Sequence, residues 1–282
     1  MRPAHISALR KNPLRVFRQL AHDLAGARRM MAPGASFRQY ALDLVMYRVM
    51  LLFPMRTDRV RTVELRDGTR LSYRRNRGDI YVLREVWIDR AYQLPPGIEP
   101  RVVLDLGAHI GLVSLWRWRE YRTEATVAVE PSAANAELAA ANFAANGIDA
   151  RLVRAAVGPT LGRAFFSERS ESQFGQLAER GDEVDMVTIE SLVDSFPNGR
   201  VDLVKIDIEG AERHVLESLP RWAGAVDAIV GEFHENGEVP TGHASALANA
   251  GFRRVSSRQS SEVECFVRAA GEVPSVTDVP HV

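Results

Sequence analysis

Ionisable side chains are concentrated where two apolar runs of the sequence end. Lys205, Asp207 and Glu209 alternate along one face of a predicted strand. A buried lysine needs a partner for its charge, and Asp207 is within reach on the same face. Glu232 and His234 end the next apolar run, and the unperturbed pKa of histidine suits a general base near neutral pH. The candidate catalytic residues are therefore Asp207, His234 and Lys205.

The acids of this group also offer oxygen ligands to a metal ion. Asp207, Glu209 and Glu232 could together bind Mg²⁺, which prefers carboxylate oxygens. Their spacing is not typical of a metal site. The sequence therefore favours a site without a metal and leaves Mg²⁺ as the weaker alternative.

A second group of residues has the composition of a nucleoside site. The segment Asp-Leu-Gly-Ala-His-Ile-Gly (105–111) follows a short apolar run, and its glycines allow a tight turn and close approach of a ligand. It lacks the G-x-G-x-x-G spacing that binds a pyrophosphate. Glu130 ends the next apolar run, where a carboxylate can accept hydrogen bonds from both ribose hydroxyls. S-adenosylmethionine (SAM), an adenosine ligand without a pyrophosphate, fits this pattern better than a dinucleotide.

Apolar strands alternate with helical segments from residue 101 onward, which predicts a doubly wound α/β sheet. Ligands of such sheets bind outside the carboxyl ends of the strands, where both groups of residues lie. The predicted strands are 102–106, 126–130, 151–157, 202–208 and 228–233, followed by a closing pair at 252–255 and 263–268.

The part of the chain before this sheet has a different pattern. Apolar residues at helical spacing predict helices up to about residue 56. Asp67-Gly68 between two apolar-alternating runs predicts a β-hairpin. A short helix is expected within 80–92, and it could cover the cofactor with Tyr81, Arg84 and Glu85. Packing of the apolar face of this helix is the alternative reading of the same segment.

Residues from about 100 to 235 resemble the FkbM family of SAM-dependent methyltransferases, which belongs to the class I Rossmann-like group. Three motifs carry the resemblance in the order of the family: the segment 105–111, Val-Glu-Pro-Ser (129–132) and Val-Lys-Ile-Asp-Ile-Glu-Gly-Ala-Glu (204–212). The third is the most diagnostic, since most class I methyltransferases lack it. The resemblance implies a class I methyltransferase-like α/β fold with a mostly parallel seven-stranded sheet.

The resemblance also implies a role for each matching residue. Asp105, Gly107 and Gly111 would frame the methionine end of SAM, Glu130 would hold the ribose, and Asp207 would lie near the sulfonium. The predicted cofactor-binding residues are Asp105, Gly107, Ala108, His109, Gly111, Glu130, Pro131, Ser132, Ala156 and Asp207.

Three of these residues carry a more specific expectation. His109 stands where the usual family motif has asparagine, and it is expected to position the loop rather than to act as a base. Ser132 could cap the following helix. The small side chain of Ala156 leaves room for the adenine ring.

Composition narrows the class of protein. The chain has 282 residues with 36 basic and 36 acidic side chains, so it lacks the basic surplus of a nucleic-acid or membrane binder. Cys265 is the single cysteine and is expected in the core; it excludes an internal disulfide and a Cys-rich zinc site and fits a cytoplasmic protein. No signal peptide is expected, because residues 1–20 contain no continuous apolar stretch. No transmembrane segment is expected either, because the most apolar stretch (40–53) is shorter than the ~20 residues that span a bilayer.

These observations predict three regions: a helical extension with a β-rich cap (1–98), a SAM-binding methyltransferase domain (99–271) and a loose tail (272–282). The expected activity is O-methylation of a hydroxyl on a sugar or another small or glycosylated metabolite, with a homo-oligomer formed through the N-terminal helices as one arrangement. Two alternatives stay open. One is a nicotinamide-dependent oxidoreductase, and the other is a non-catalytic adaptor that uses the N-terminal helices.

Overall fold

The computed structural model describes residues 13–52, 58–167, 176–178, 181–208, 212–233, 242–255 and 263–269. The helices are α1 (Pro13–Met30), α2 (Ala35–Leu52), α3 (Arg77–Leu83), α4 (Leu112–Tyr121), α5 (Ala133–Ala145), α6 (Ile189–Val193), α7 (Glu212–Glu217), α8 (Leu219–Trp222) and α9 (His243–Asn249). A π-helical turn (Arg84–Ile88) continues α3, and a 3-10 turn (Ala223–Ala225) continues α8. The strands are β1 (Val60–Glu64), β2 (Arg70–Arg74), β3 (Val102–Leu106), β4 (Ala125–Val129), β5 (Ala150–Val153), β6 (Ala155–Val157), β7 (Gly162–Ser167), β8 (Gln176–Ala178), β9 (Asp182–Val187), β10 (Val201–Ile206), β11 (Val226–Gly231), β12 (Phe252–Val255) and β13 (Glu264–Arg268).

Seven strands form the central sheet in the order β12-β13-β11-β10-β3-β4-β5. The five strands β11, β10, β3, β4 and β5 run parallel, and β13 is antiparallel to both of its neighbours. Strand order reverses at β3, so the crevice beside its carboxyl end is the switch point at which ligands bind to such sheets. This architecture confirms the predicted α/β fold with a mostly parallel, seven-stranded sheet.

Alternate residues of the buried strands pack into two different hydrophobic cores, one on each face of the sheet. Leu104 and Ile206 pack with helix residues such as Trp222 on one face. Val103 and Leu203 belong to the cluster on the opposite face, together with residues of α4 and of the segment before β3. Because side chains alternate along a strand, Asp105 and Lys205 also point toward this second face.

The cap before the sheet is built on the predicted hairpin. β1 and β2 pair antiparallel around Gly68, whose φ of +86° requires the left-handed conformation that glycine adopts without a steric penalty. The Asp67 carboxylate accepts a hydrogen bond from the Thr69 amide at 2.9 Å, which closes the turn. Tyr73 and Leu71 of β2 share a hydrophobic cluster with Leu115 of α4, so the cap and the sheet have a common core.

Two asparagines of the α5 region dock the free edge of β2. Asn142 accepts from the Ser72 amide at 2.7 Å and donates to the Ser72 carbonyl at 3.0 Å. Asn146 makes the same pair of bonds with Arg70, at 2.9 and 2.7 Å. These side chains satisfy backbone groups of β2 as a neighbouring strand would.

A second sheet, of four strands in the order β6-β9-β7-β8, was not anticipated from the sequence. The predicted strand 151–157 is in fact two strands separated by Arg154: β5 closes the central sheet, and β6 pairs with β9. Between β6 and β9 the chain forms the antiparallel pair β7 and β8. Phe166 and Val184 are among the few buried side chains of these strands, which explains the weak apolar signal.

The N-terminal helices pack beside the π-helical turn through charge pairs. Asp23 is fully buried and pairs with Arg48 of α2 and with Arg84 of the π-helical turn. Phe17 and Leu42 are exposed on α1 and α2, and the expected oligomer through these helices stays a prediction. No helix within the described ranges combines the length and the apolar character needed to cross a membrane.

We predict that Asn142→Ala destabilises the protein more than Asn146→Ala does. Both substitutions remove two hydrogen bonds to β2 and one more to a carbonyl, which belongs to Ile110 for Asn142 and to Asn142 for Asn146, at 2.8 and 2.7 Å. Asn142 is fully buried, whereas Asn146 is only partly buried. Buried groups left without partners cost about 1–3 kcal/mol each, so Asn142→Ala should lower the free energy of unfolding by at least ~2 kcal/mol. Urea denaturation of both variants measures the difference, and equal losses would contradict the role given to burial.

Candidate functional site

The turn after β3 is held against the end of β4. The amides of Gly107 and Ala108 both donate to the Val129 carbonyl, at 3.0 and 2.9 Å. Gly107 has a φ of +75°, and a Cβ at this position would lie 1.8 Å from the Asp207 carbonyl oxygen. Only glycine fits where the ends of β3, β4 and β10 converge.

The same turn enters α4 through two further left-handed residues. His109 has a φ of 52°, which is uncommon for a residue with a side chain. Gly111 has a φ of +79°, and a Cβ there would lie 2.8 Å from Phe143 of α5. The backbone therefore approaches both α5 and the neighbouring strand without side chains in between.

Glu130 lies at the carboxyl end of β4 and faces this turn. It is 5% exposed, and its carboxylate accepts from the His109 amide at 2.9 Å, the Ser132 amide at 3.0 Å and the Asn135 side chain at 3.2 Å. Burial raises the pKa of Glu130, against the lowering effect of His109 and of these hydrogen bonds. The three donors fix the orientation of the carboxylate.

The residues that follow Glu130 start α5. Ser132 is the N-cap of α5, and its hydroxyl accepts from the Asn135 amide at 3.3 Å, as predicted for a helix cap. Pro131 separates Glu130 from this cap. Ala156 is buried in β6 beside Phe166 and Val184.

Lys205 and Asp105 form a buried ion pair behind the turn. The Lys205 ammonium lies 3.4 Å from Asp105 Oδ1 and donates to the carbonyls of Leu106 and Gly107, at 3.2 and 2.6 Å. Ser114 of α4 donates to Asp105 Oδ2 at 2.6 Å. Burial alone would lower the pKa of Lys205, but the negative charges around it, led by Asp105, raise it. The predicted partner Asp207 is more distant, at 3.7 Å.

Asp207 follows β10 directly and its side chain is 26% exposed. The Tyr92 hydroxyl donates to Asp207 Oδ2 at 2.9 Å, and the Tyr92 carbonyl accepts from Arg117 of α4 at 3.2 Å. Burial, followed by the negative charge of Asp207, raises the pKa of Tyr92, which keeps the phenol as a hydrogen-bond donor. The Tyr92 hydroxyl and the Lys205 ammonium therefore both contact the same oxygen of Asp207, Oδ2.

A further carboxyl group comes from the π-helical turn of the cap. Glu85 is 9% exposed and accepts from the Tyr81 hydroxyl, one turn earlier, at 3.1 Å. Burial and the charges of Glu232 and Asp207 raise the pKa of Glu85 well above its usual value. The cap therefore adds an acid to the carboxyl ends of β10 and β11. The sequence predicted Glu85 in a helical segment that could cover the cofactor, whereas nothing in the sequence indicated a role for Tyr92.

Not every sequence candidate falls within this cluster. Glu232 follows β11, and its amide donates to the Ile206 carbonyl at 3.0 Å, which places it beside Asp207 at the sheet edge. His234 and Glu209 lie outside the described residues, so their roles stay predictions.

Among the described ranges, a single group of ligand-type side chains has its atoms close enough together to share a metal ion: His22, Asp23 and Asp89. Arg48 and Arg84 already pair with Asp23, which makes this group an ion-pair network. The candidates Asp207 and Glu232 are not in it.

Comparison with known proteins connects this geometry to a family. Residues 105–254, which are more than half of the chain, match the family described as the methyltransferase FkbM domain. The chain belongs to the FkbM methyltransferase family. The resemblance to this family and the enzyme class predicted from the sequence, a SAM-dependent methyltransferase, are confirmed at the level of the family.

Individual relatives are remote. The FkbM chain is 24% identical over 165 residues to "Methyltransferase 1" of Beauveria bassiana, a match that covers 49% of this chain and 66% of that protein. A ribosomal protein L11 methylase from Lactobacillus delbrueckii subsp. bulgaricus aligns with a TM-score of 0.39 and 14% identity, over 68% of this chain and 80% of the other. A magnesium protoporphyrin IX methyltransferase from Synechocystis PCC 6803 aligns with a TM-score of 0.38 and 12% identity, over 61% of this chain and 72% of the other. The fold assignment depends instead on the strand order of this chain.

We predict that Gly107→Ala is far more damaging than Gly97→Ala. Both glycines have a positive φ, so both substitutions impose a similar backbone cost of about 1 kcal/mol. Only the Cβ at position 107 collides with backbone, at the Asp207 carbonyl; nothing lies within 4 Å of the Cβ at position 97. Thermal unfolding of the two FkbM variants should show the larger loss for Gly107→Ala, and equal losses would show that the turn does not need this close approach.

We predict that Glu85→Gln stabilises the protein increasingly as the pH rises from 5 to 8. A raised pKa means that folded Glu85 keeps its proton where the unfolded chain has lost it, so stability falls with rising pH above the unfolded pKa. Glutamine lacks this titration but still offers an oxygen to Tyr81. Melting temperatures across this pH range test it, with Glu137→Gln on the exposed side of α5 as control. A pH-independent difference would contradict the assignment.

Proposed function

We propose that this FkbM domain binds SAM at the carboxyl ends of β3 and β4 and methylates a hydroxyl group of a small, sugar-like or glycosylated metabolite. The observation that carries the proposal is the buried, oriented carboxylate of Glu130 beside a turn that excludes side chains at Gly107. A carboxylate at this position is suited to ribose hydroxyls, because charge-assisted hydrogen bonds are strong. Gly107 is partly exposed, and its lack of a side chain suits a ligand that approaches the backbone closely.

The residues present fit the cofactor. Glu130 would hold the ribose, and the turn from Gly107 to Gly111 would accommodate the methionine end. Asp105 supports this turn from behind, because Lys205 joins its carboxylate to the carbonyls of Leu106 and Gly107. SAM, when bound, supplies an electrophilic methyl group and leaves as S-adenosylhomocysteine.

The task of the protein is then to align the acceptor and to remove its proton. Positioning of the acceptor contributes much of such a rate enhancement, up to about 7–11 kcal/mol in favourable cases. Asp207 is the first proposed base for the hydroxyl proton, and its contacts with Tyr92 and Lys205 support this role because they fix the carboxylate. His234 is the second proposed base.

The charge of the site favours a neutral, hydroxyl-rich acceptor. Asp207 and Glu232 lie side by side at the edge of the sheet, and together with burial their negative charges keep the proton on Glu85. Carboxylates accept hydrogen bonds from hydroxyl groups and repel anions. A sugar or another polyol fits this environment better than a phosphorylated or carboxylated metabolite.

Incubation with methyl-labelled SAM and a metabolite extract, followed by identification of the labelled product, tests the function. Calorimetry with SAM and S-adenosylhomocysteine tests the cofactor separately. A labelled product with an O-methyl group is expected. Absence of binding for both nucleosides would refute the proposal, and a labelled N-methyl product would refute the choice of acceptor.

We predict that Asp207→Asn lowers kcat by 10²–10⁴-fold, the usual contribution of general base catalysis, with a much smaller effect on SAM affinity. His234→Ala is measured in parallel to decide which residue takes the proton. Asp227→Asn, in an exposed pair with Arg200, serves as control. Unchanged turnover at saturating SAM in both Asp207→Asn and His234→Ala would contradict the assignment of the base.

A further inference from the structure

The cap and the turn after β3 (107–111) are joined by a closed ring of polar contacts. Arg74 ends β2, and Asp79 lies in the first turn of α3. His109 belongs to the turn after β3, and Glu130 and Asn135 lie at the end of β4 and the start of α5. Each member contacts the next one, so the ring connects a cap carboxylate to the carboxylate proposed to bind the ribose.

The contacts run in both directions from Asp79. Arg74 donates from Nε to Asp79 Oδ2 at 2.9 Å and from Nη2 to Oδ1 at 3.0 Å, and Nη2 also donates to the Asn135 side-chain oxygen. On the other side, His109 Nε2 lies 3.3 Å from Asp79 Oδ1. The ring closes at Glu130, which accepts from the His109 amide and the Asn135 amide group.

Burial gives these contacts their strength. Asp79 is fully buried, and the other members are between 2% and 9% exposed. Although burial alone would raise the pKa of Asp79, the hydrogen bonds and charges of His109 and Arg74 lower it. Asp79 is further fixed by its own amide, which donates to the Asn76 side chain at 2.8 Å, and by the Arg74 amide. Its carboxylate is therefore a rigid charged anchor beside the imidazole.

The backbone at His109 needs such an anchor. A left-handed conformation in a residue with a side chain costs about 1 kcal/mol or more, and it persists where surrounding contacts fix it. The amide that this conformation directs at Glu130 Oε2 is one of the three donors of that carboxylate. A change in the turn at His109 would therefore also change the orientation of Glu130.

We propose that Asp79, together with Arg74, is a positioning residue for cofactor binding: it holds His109 in the left-handed turn and, through the ring, orients Glu130. The inference depends on the proposed function. It makes the cap, which precedes the matched family region at 105–254, a part of the cofactor site. Asp79 acts through His109 and Asn135 and is not proposed to touch the cofactor.

The test is calorimetric binding of S-adenosylhomocysteine to the full chain, which requires no acceptor. Asp79→Asn should raise the Kd at least tenfold. Asp67→Asn is the matched control. Asp67 lies in the hairpin turn of the same cap and pairs with Arg119 of α4, and its substitution should leave the Kd unchanged. Equal affinities of Asp79→Asn and wild type would overturn the inference. Failure of the wild type itself to bind would instead refute the proposed function.

A double-mutant cycle separates positioning from general destabilisation. If Asp79 acts through the imidazole, Asp79→Asn should weaken binding at least threefold less in a His109→Asn background than in the wild type. Additive effects on the Kd would overturn the inference. Turnover at saturating SAM, once an acceptor is known, should stay within twofold of wild type in Asp79→Asn, because only cofactor affinity is affected.

A milder variant covers the case in which Asp79→Asn does not fold. Arg74→Lys keeps the charge beside Asp79 but loses the two-armed contact that reaches Asn135. It should raise the Kd for S-adenosylhomocysteine threefold to tenfold in protein whose far-ultraviolet circular dichroism matches wild type. An unchanged Kd in such folded protein would overturn the inference.

Discussion

The site is organised around one buried positive charge. Lys205 is 2% exposed, and the cost of removing an ammonium from water is offset only because it faces Asp105 and two backbone carbonyls of the turn. The lysine thereby joins β10 to β3 and fixes the path of the turn at Gly107. Its charge also lies 3.7 Å from Asp207, so the residue that shapes the turn after β3 also holds the proposed base.

The cap completes this arrangement from the other side. Tyr92 donates to Asp207, Glu85 adds a carboxyl group that interacts electrostatically with Asp207, and Asp79 contacts the turn after β3 at His109. In each case a residue before the sheet fixes or modifies a group at the carboxyl end of a strand. The proposed site of this FkbM domain thus combines a parallel sheet that supplies the backbone and a cap that supplies polar partners.

Most of the sheet could be predicted from the sequence, whereas the contacts of the cap could not. The runs around Asp105 and Lys205 are short and mostly apolar, as is typical of buried parallel strands, and Glu130 and Asp207 follow such runs directly. β7 and β9 bury little apolar surface, so their periodicity is weak. Tyr92 contacts a residue 115 positions away, and no local pattern records a contact of that range.

The π-helical turn between α3 and Tyr92 carries a constraint on the length of the chain. A π-helical turn holds one residue more than an α-helical turn, and each residue advances an α-helix by about 100°. Loss of one residue from 84–88 would restore regular α-helix and rotate everything downstream by that angle relative to Glu85. The phenol of Tyr92 would then leave Asp207 while Glu85 stayed, so relatives that keep both contacts are expected to tolerate substitutions in this turn but no deletion.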